Sequence, residues 1–168
     1  MELWRQRLVD PAMDSNTWDE IFRLLAAAGV GMAIGINREM QGKPLGVRTL
    51  ALVGVGTALA TLTAIDFRGL DEHPDALSRV VQGVLQGILT GIGFIGAGVV
   101  LRDKDTGTIQ GLTTAASVWV TAALGIACAL AAWHLVIIGV LLTLFILIVV
   151  GWLEQKVFSA IRPRDKDK

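Results

Sequence analysis

Residues 91–98, GIGFIGAG, decide how this chain is read. Glycine in a helix interior costs about 1 kcal/mol relative to alanine, so such a cluster would break a helix in water. Here the cluster closes a longer apolar run, VVQGVLQGILTGIGFIGAGVVLR at 80–102. A dinucleotide-binding loop needs a strand before its glycines and a helix after them, and neither fits. In a bilayer the same glycines have another use. They let a second helix backbone approach closely where lipid tails compete with ordinary apolar contacts.

The rest of the chain agrees with the bilayer. Of 168 residues, 53% are hydrophobic and 18% charged, and the mean hydropathy is +0.60. A soluble domain of this size carries more polar surface than that. The apolar residues come in blocks with short charged punctuation, the pattern of an integral membrane protein. Formal net charge is zero, which gives no support to a nucleic-acid partner. A lone cysteine, Cys128, excludes an internal disulfide. Arg23 interrupts the first apolar run, so the N-terminal segment is expected to be retained rather than cleaved as a signal peptide.

A spanning helix needs about 20 mostly apolar residues. Five stretches qualify, at about 21–37, 48–66, 80–101, 111–132 and 134–153, the first relying on Arg23 snorkelling to the headgroups. The expected fold is therefore an all-α bundle of five transmembrane helices over 21–153. A segment at 1–20 would precede it and a basic tail at 154–168 would follow. Lys and Arg in the flanks set the direction. One set of flanks holds Arg38, Lys43, Arg48, Arg102, Lys104, Lys156, Arg162, Arg164, Lys166 and Lys168. The other holds Arg5, Arg7, Arg23, Arg68 and Arg79. This bias predicts the N-terminus outside and the C-terminal tail in the cytoplasm. Trp18, Trp133 and Trp152 fall at expected span ends, where an amphipathic ring is at home.

Helical spacing places Gly83, Gly87 and Gly91 on one face of the third span, and Gly31 and Gly35 on one face of the first. Gly93, Gly96 and Gly98 thin the side chains further, so 91–98 is either packed tightly or partly unwound. Polar residues follow the same geometry. Gln82, Gln86 and Thr90 form a stripe beside the glycines, and Thr113, Thr114, Ser117 and Thr121 lie along the fourth span. Thr57 and Thr61 form a matching pair in the second. Two readings stay open: hydrogen bonding between helices in a tight bundle, or the polar lining of a hydrated cavity.

Among the loops, 37–49 is basic, with Asn37, Arg38, Glu39, Lys43, Arg48 and Thr49. Gly42 and Pro44 argue for a fixed turn, and Glu39 could join its basic neighbours in a charge network. In the loop after the second span, Asp66, Asp71, Glu72 and Asp75 offer the hard oxygen ligands that Mg²⁺ or Ca²⁺ prefers, although their spacing matches no defined metal loop. Within Leu24–Ile36, Leu50–Ile65, Val80–Leu101, Leu112–Ala132 and Leu135–Leu153 there is no carboxylate, the group on which many proton and cation carriers depend. Neither a nucleophile–base pair nor a cofactor motif appears, so no catalysis and no cofactor are expected.

Four stretches together resemble the MgtC/SapB family of bacterial inner-membrane proteins: GINREMQGKPLGVRTLALVGVGTAL at 35–59, SRVVQGVLQGILTGIGFIGAGVVLR at 78–102, GLTTAASVWVTAALGIACAL at 111–130, and the apolar final span. The resemblance covers about residues 20–153. It implies a multi-pass protein of the bacterial inner membrane, linked to magnesium homeostasis and, in pathogens, to virulence. The family's motif residues fall on Arg38, Glu39, Lys43, Arg48, Thr49, Gly91, Gly93, Gly96, Gly98, Gly111, Thr113 and Thr114. Two departures stand out. Asn37 replaces a commonly acidic residue, and the chain stops at Lys168 without the soluble C-terminal domain that several members carry.

Two functional expectations follow. The first is a non-enzymatic protein of adaptation to low magnesium or stress, regulating other membrane proteins through helix packing and forming a homo-oligomer in the lipid bilayer. The alternative is an oligomeric cation transporter or channel, with Mg²⁺ or another cation passing the Gln/Thr/Ser stripes.

Overall fold

A computed structural model describes residues 15–65, 74–102, 109–154 and 156. It places five helices in order: α1 Ser15–Met40, α2 Val47–Ile65, α3 Pro74–Val99, α4 Leu112–Ala129 and α5 Trp133–Phe145. The last of these continues through a π-type turn, Ile146–Val150, to complete an apolar span of 22 residues ending at Glu154. Helices α2 to α5 each carry an apolar stretch long enough to cross a bilayer. Helix α1 has 26 residues but is charged towards both ends, with Asp19, Glu20 and Arg23 at one and Arg38 and Glu39 at the other. It nevertheless runs the length of α4, because Arg23 reaches Ala129 and Arg38 reaches Thr114.

Helix α4 is the centre of the bundle, touching α1, α2, α3 and α5. Small residues make that position available. A Cβ added to Gly125 would run into the Thr57 hydroxyl and lie 2.6 Å from the Gly54 carbonyl, while one on Gly54 would lie 2.5 Å from the Ala27 carbonyl. Helices α1, α2 and α4 therefore meet backbone to backbone. On α1, Gly31 lies against the Leu50 carbonyl and Gly35 against the Val47 Cα. Around these crossings two apolar clusters form, one with Ile34, Leu50, Val118 and Ala122, the other with Ala27, Ala58, Cys128 and Ala129. Helix α3 leans on α4 and α2 from one side, and α5 on α4 and α1.

The segment 91–98 is continuous helix, the last turns of α3 before Val99. A short antiparallel ladder follows, with Leu101 paired to Gln110 and Arg102 to Ile109; hydropathy alone did not foresee it. Gly111 then starts α4 at φ +88°. Its missing Cβ is where the Val99 carbonyl oxygen sits, so both conformation and space require glycine there. At the end of α1, Gly42 adopts φ +62°, the Lys43 N–H donates to the Arg38 carbonyl and the Gly42 N–H to that of Glu39. This six-to-one and five-to-two pairing is the Schellman helix stop, and it supplies the fixed turn expected at 42–44.

The hydroxyls correct one expectation. Thr61 donates to the Thr57 carbonyl, Ser117 to Thr113 and Thr121 to Ser117, each at 2.8 Å. Thr57 donates to the carbonyls of Val53 and Gly54. All are bonds one turn back in the same helix, so these hydroxyls do not bridge helices. They make polar side chains small and self-satisfied, so that Thr57, Thr61, Ser117 and Thr121 can be buried.

Candidate functional site: an open polar face on α3

The inner edge of α3 is apolar. Ile92 is buried, and a Cβ on Gly96 would touch Ala115 of α4 at 3.5 Å. The opposite edge carries Gln82, Gly83, Gln86, Gly87, Thr90 and Gly91, and all six are exposed. A Cβ added at Gly83, Gly87, Gly91, Gly93 or Gly98 would meet nothing within 4 Å. Further along, Phe94 is 84% exposed. The helix is thus amphipathic with its polar, small-residue side turned outward, although its 22-residue apolar stretch from Ser78 to Val99 qualifies it as a span. In hydrocarbon a glutamine amide has no hydrogen-bond partner, so such a face calls for a protein neighbour.

The stripe on α4 lies elsewhere. Thr113 is exposed, whereas Thr114, Ser117 and Thr121 are buried in the bundle. A Cβ on Gly54 of α2 would lie 3.8 Å from the Thr121 methyl carbon, so the buried hydroxyls follow the α1–α2 side while α3 packs at Ala115. One copy of the chain therefore does not bring Gln82, Gln86 and Thr90 together with Thr114, Ser117 and Thr121 around a common cavity.

The loop motif splits at the end of α1. Successive residues on a helix point about 100° apart, and Arg38 and Glu39 diverge accordingly. The Glu39 carboxylate accepts a hydrogen bond of 3.1 Å from the Val47 N–H, which serves the first turn of α2, where negative charge is favourable. Arg38 turns inward, is 3% exposed, and donates through Nη2 to the Thr114 hydroxyl. Asn37 accepts a hydrogen bond from the Gln41 amide at 3.2 Å. Lys43 and Arg48 are exposed and Thr49 is half-buried. The Arg38–Thr114 contact joins two residues 76 positions apart, and nothing in their spacing announces it.

Of the acidic loop, Asp66, Asp71 and Glu72 lie outside the described residues, and Asp75 is exposed in the first turn of α3. Among the described residues no three metal-ligating side chains cluster.

Comparison with known proteins decides the family. The model of the MgtC family matches residues 24–156. The chain belongs to the MgtC family. It is 44% identical over 134 residues to the protein SrpB of Synechococcus elongatus, covering 75% of this chain and 71% of that one. It is 41% identical over 141 residues to YhiD of Escherichia coli, whose name gives it a provisional role as a magnesium transporter; 78% of this chain and 60% of YhiD are covered. To SapB of Bacillus subtilis it is 38% identical over 112 residues, 65% of this chain and 47% of that one. The chain thus spans from under half to about seven-tenths of these relatives. No solved structure matches. Family and apolar helices together make this MgtC-family chain a multi-pass bacterial membrane protein.

Proposed function

We propose that this chain is a MgtC-type regulator of bacterial adaptation to low magnesium or related stress, working by helix packing within the membrane. Residues 21–153 form the membrane domain, with the N-terminal segment outside and the loop at 37–49 and the tail from 154 in the cytoplasm. The observation that carries this reading is the open face of α3, where Gln82, Gln86 and Thr90 flank glycines with free space above them. Its occupant is the same face of a second copy. A glutamine amide is both donor and acceptor, so two such stripes related by a two-fold axis satisfy each other, and the glycines allow the approach. The regulated membrane proteins would be engaged by the assembled oligomer.

The test is Gly87→Leu in the full chain. Because nothing lies within 4 Å of that position, the variant should fold and insert normally. It should lose the oligomer, seen by native mass spectrometry and by crosslinking in cell membranes, together with growth support in low magnesium. An unchanged oligomer with growth support intact would overturn the reading. Magnesium flux through purified protein in liposomes, lost on Gln86→Leu, would favour transport instead.

A further inference from the structure

The one buried guanidinium at the Met40 end of α1 has no counter-charge among the described residues. Arg38 is 3% exposed, its Nε lacks an acceptor, and its Nη2 donates to a neutral hydroxyl. The nearest carboxylate in sequence, Glu39, is committed to the Val47 N–H. A buried charge is ordinarily paired, because leaving it alone costs several kcal/mol. Its surroundings make matters worse. Thr114 lies in the first turn of α4, an 18-residue helix whose N-terminus carries about half a positive charge. The N-cap residue, Gly111, has no side chain with which to cap that turn, and the first helical bond runs from the Ala115 N–H to the Gly111 carbonyl. The N–H groups of the three preceding residues therefore have no partner within the helix. Gly111 is half-buried, while Leu112 and Thr113 are exposed.

We propose that this junction, where α1 ends and α4 begins, binds a phosphate oxyanion held between the Arg38 guanidinium and the first-turn N–H groups of α4. Two independent features converge on one anion: a planar donor fork suited to phosphate oxygens, and a helix N-terminus that collects anions through backbone N–H groups. The position at the ends of two bundle helices corresponds to headgroup level. The phosphate is therefore either free or part of a lipid headgroup, and the chemistry is the same.

The experiment uses the full chain, stripped of lipid in a maltoside detergent, and follows the midpoint of thermal unfolding. One arm adds inorganic phosphate at ionic strength held constant with chloride. The other adds phosphatidylglycerol, with diacylglycerol as the phosphate-free control. The wild type should gain about 5 °C at saturation with at least one probe. A gain with phosphate alone identifies the free anion, a gain with phosphatidylglycerol alone the headgroup, and a gain with both the shared site. Arg38→Met should abolish the gain, and Arg38→Lys, which keeps the charge without the fork, should at least halve it. Should Arg38→Met fail to accumulate, Arg38→Lys carries the test. Arg79→Gln, an equal change in net charge at an exposed position, should respond as wild type. So should Gly87→Leu, which separates this site from the oligomer reading. No gain from either probe, or an undiminished gain in the Arg38 variants, would overturn the proposal.

Discussion

At the Ala129 end of α4, Arg23 donates 2.6 Å to the Ala129 carbonyl and pairs at 2.5 Å with Asp19. At the Leu112 end, Arg38 meets the Thr114 hydroxyl and, among the described residues, no carboxylate. Both arginines belong to α1. Fifteen residues separate them, as fifteen separate Thr114 from Ala129, about 22 Å of helix rise in each case. The antiparallel helices thus bring one cation to each end of the same dipole. Among the described residues, only the Ala129 end carries a counter-charge, Asp19, although the Nε of Arg23, like that of Arg38, is buried without an acceptor. There the helix is negative, the neighbouring carbonyls are already taken by Leu130, Ala131 and Ala132 N–H groups, and the Ala129 carbonyl is the acceptor to which Arg23 donates. At the other end a cation faces the positive pole. The same residue type on the same helix therefore closes a structural contact at one end and leaves an unmet electrostatic demand at the other.

The largest effect should come from the backbone at the Leu112 end. Gly111→Ala places a Cβ against the Val99 carbonyl at φ +88°, combining a backbone collision with a left-handed conformation. The expected cost is about 3 kcal/mol or more, seen as loss of folded protein in membranes. A variant that folds with unchanged stability would show that the Leu112 end is loose and would undo the inference of an ordered site there.

The two arginines should respond with opposite signs. Arg23→Met removes a charged hydrogen bond to Ala129 and should cost about 1–2 kcal/mol, discounted because Asp19 is 44% exposed. Arg38→Met removes a buried charge that has no counter-charge among the described residues, at the loss of one hydrogen bond to the Thr114 hydroxyl. In lipid-free, phosphate-free detergent it should be neutral or stabilising by about 1–2 kcal/mol. Unfolding midpoints of both variants in the same detergent check this. Equal losses from both would mean that the two ends are electrostatically alike.

Much of the fold could be read from the chain, because run length is enough to count the five helices, four of which are apolar enough to cross a bilayer. Contact partners were harder. Gly31 and Gly35 repeat at the same interval as Gly83 and Gly87, yet the first pair is covered by α2 and the second faces outward. Spacing says that a face can be approached and not by what. The hydroxyls carried a similar ambiguity. The interval from Ser117 to Thr121 that suggests a shared helix face is also the interval of a bond one turn back along the same helix. Arg38 looked like one more basic loop residue because nothing local distinguishes it from Arg48. Its burial arises from where α4 happens to begin, a tertiary fact joining positions 76 apart.

The smallest effect belongs to the Ala129 end, where the chain turns out of α4. The Ala131 N–H donates to the Cys128 carbonyl and the Ala132 N–H to that of Ala127, the same helix stop that Gly42 makes after α1. Here an alanine holds the left-handed position, at φ 53°. A Cβ in that region costs about 1–2 kcal/mol, and part of this is recovered in the unfolded state, where alanine has less freedom than glycine. Ala131→Gly should therefore raise stability by about 0.5–1 kcal/mol, read as a higher unfolding midpoint, and leave Arg23 on Ala129. The mirror change at the other end, Gly111→Ala, is expected to be ruinous. A loss of stability in Ala131→Gly would mean that the alanine methyl packs against a neighbour strongly enough to outweigh its strain, and that the two ends differ in contacts rather than in charge.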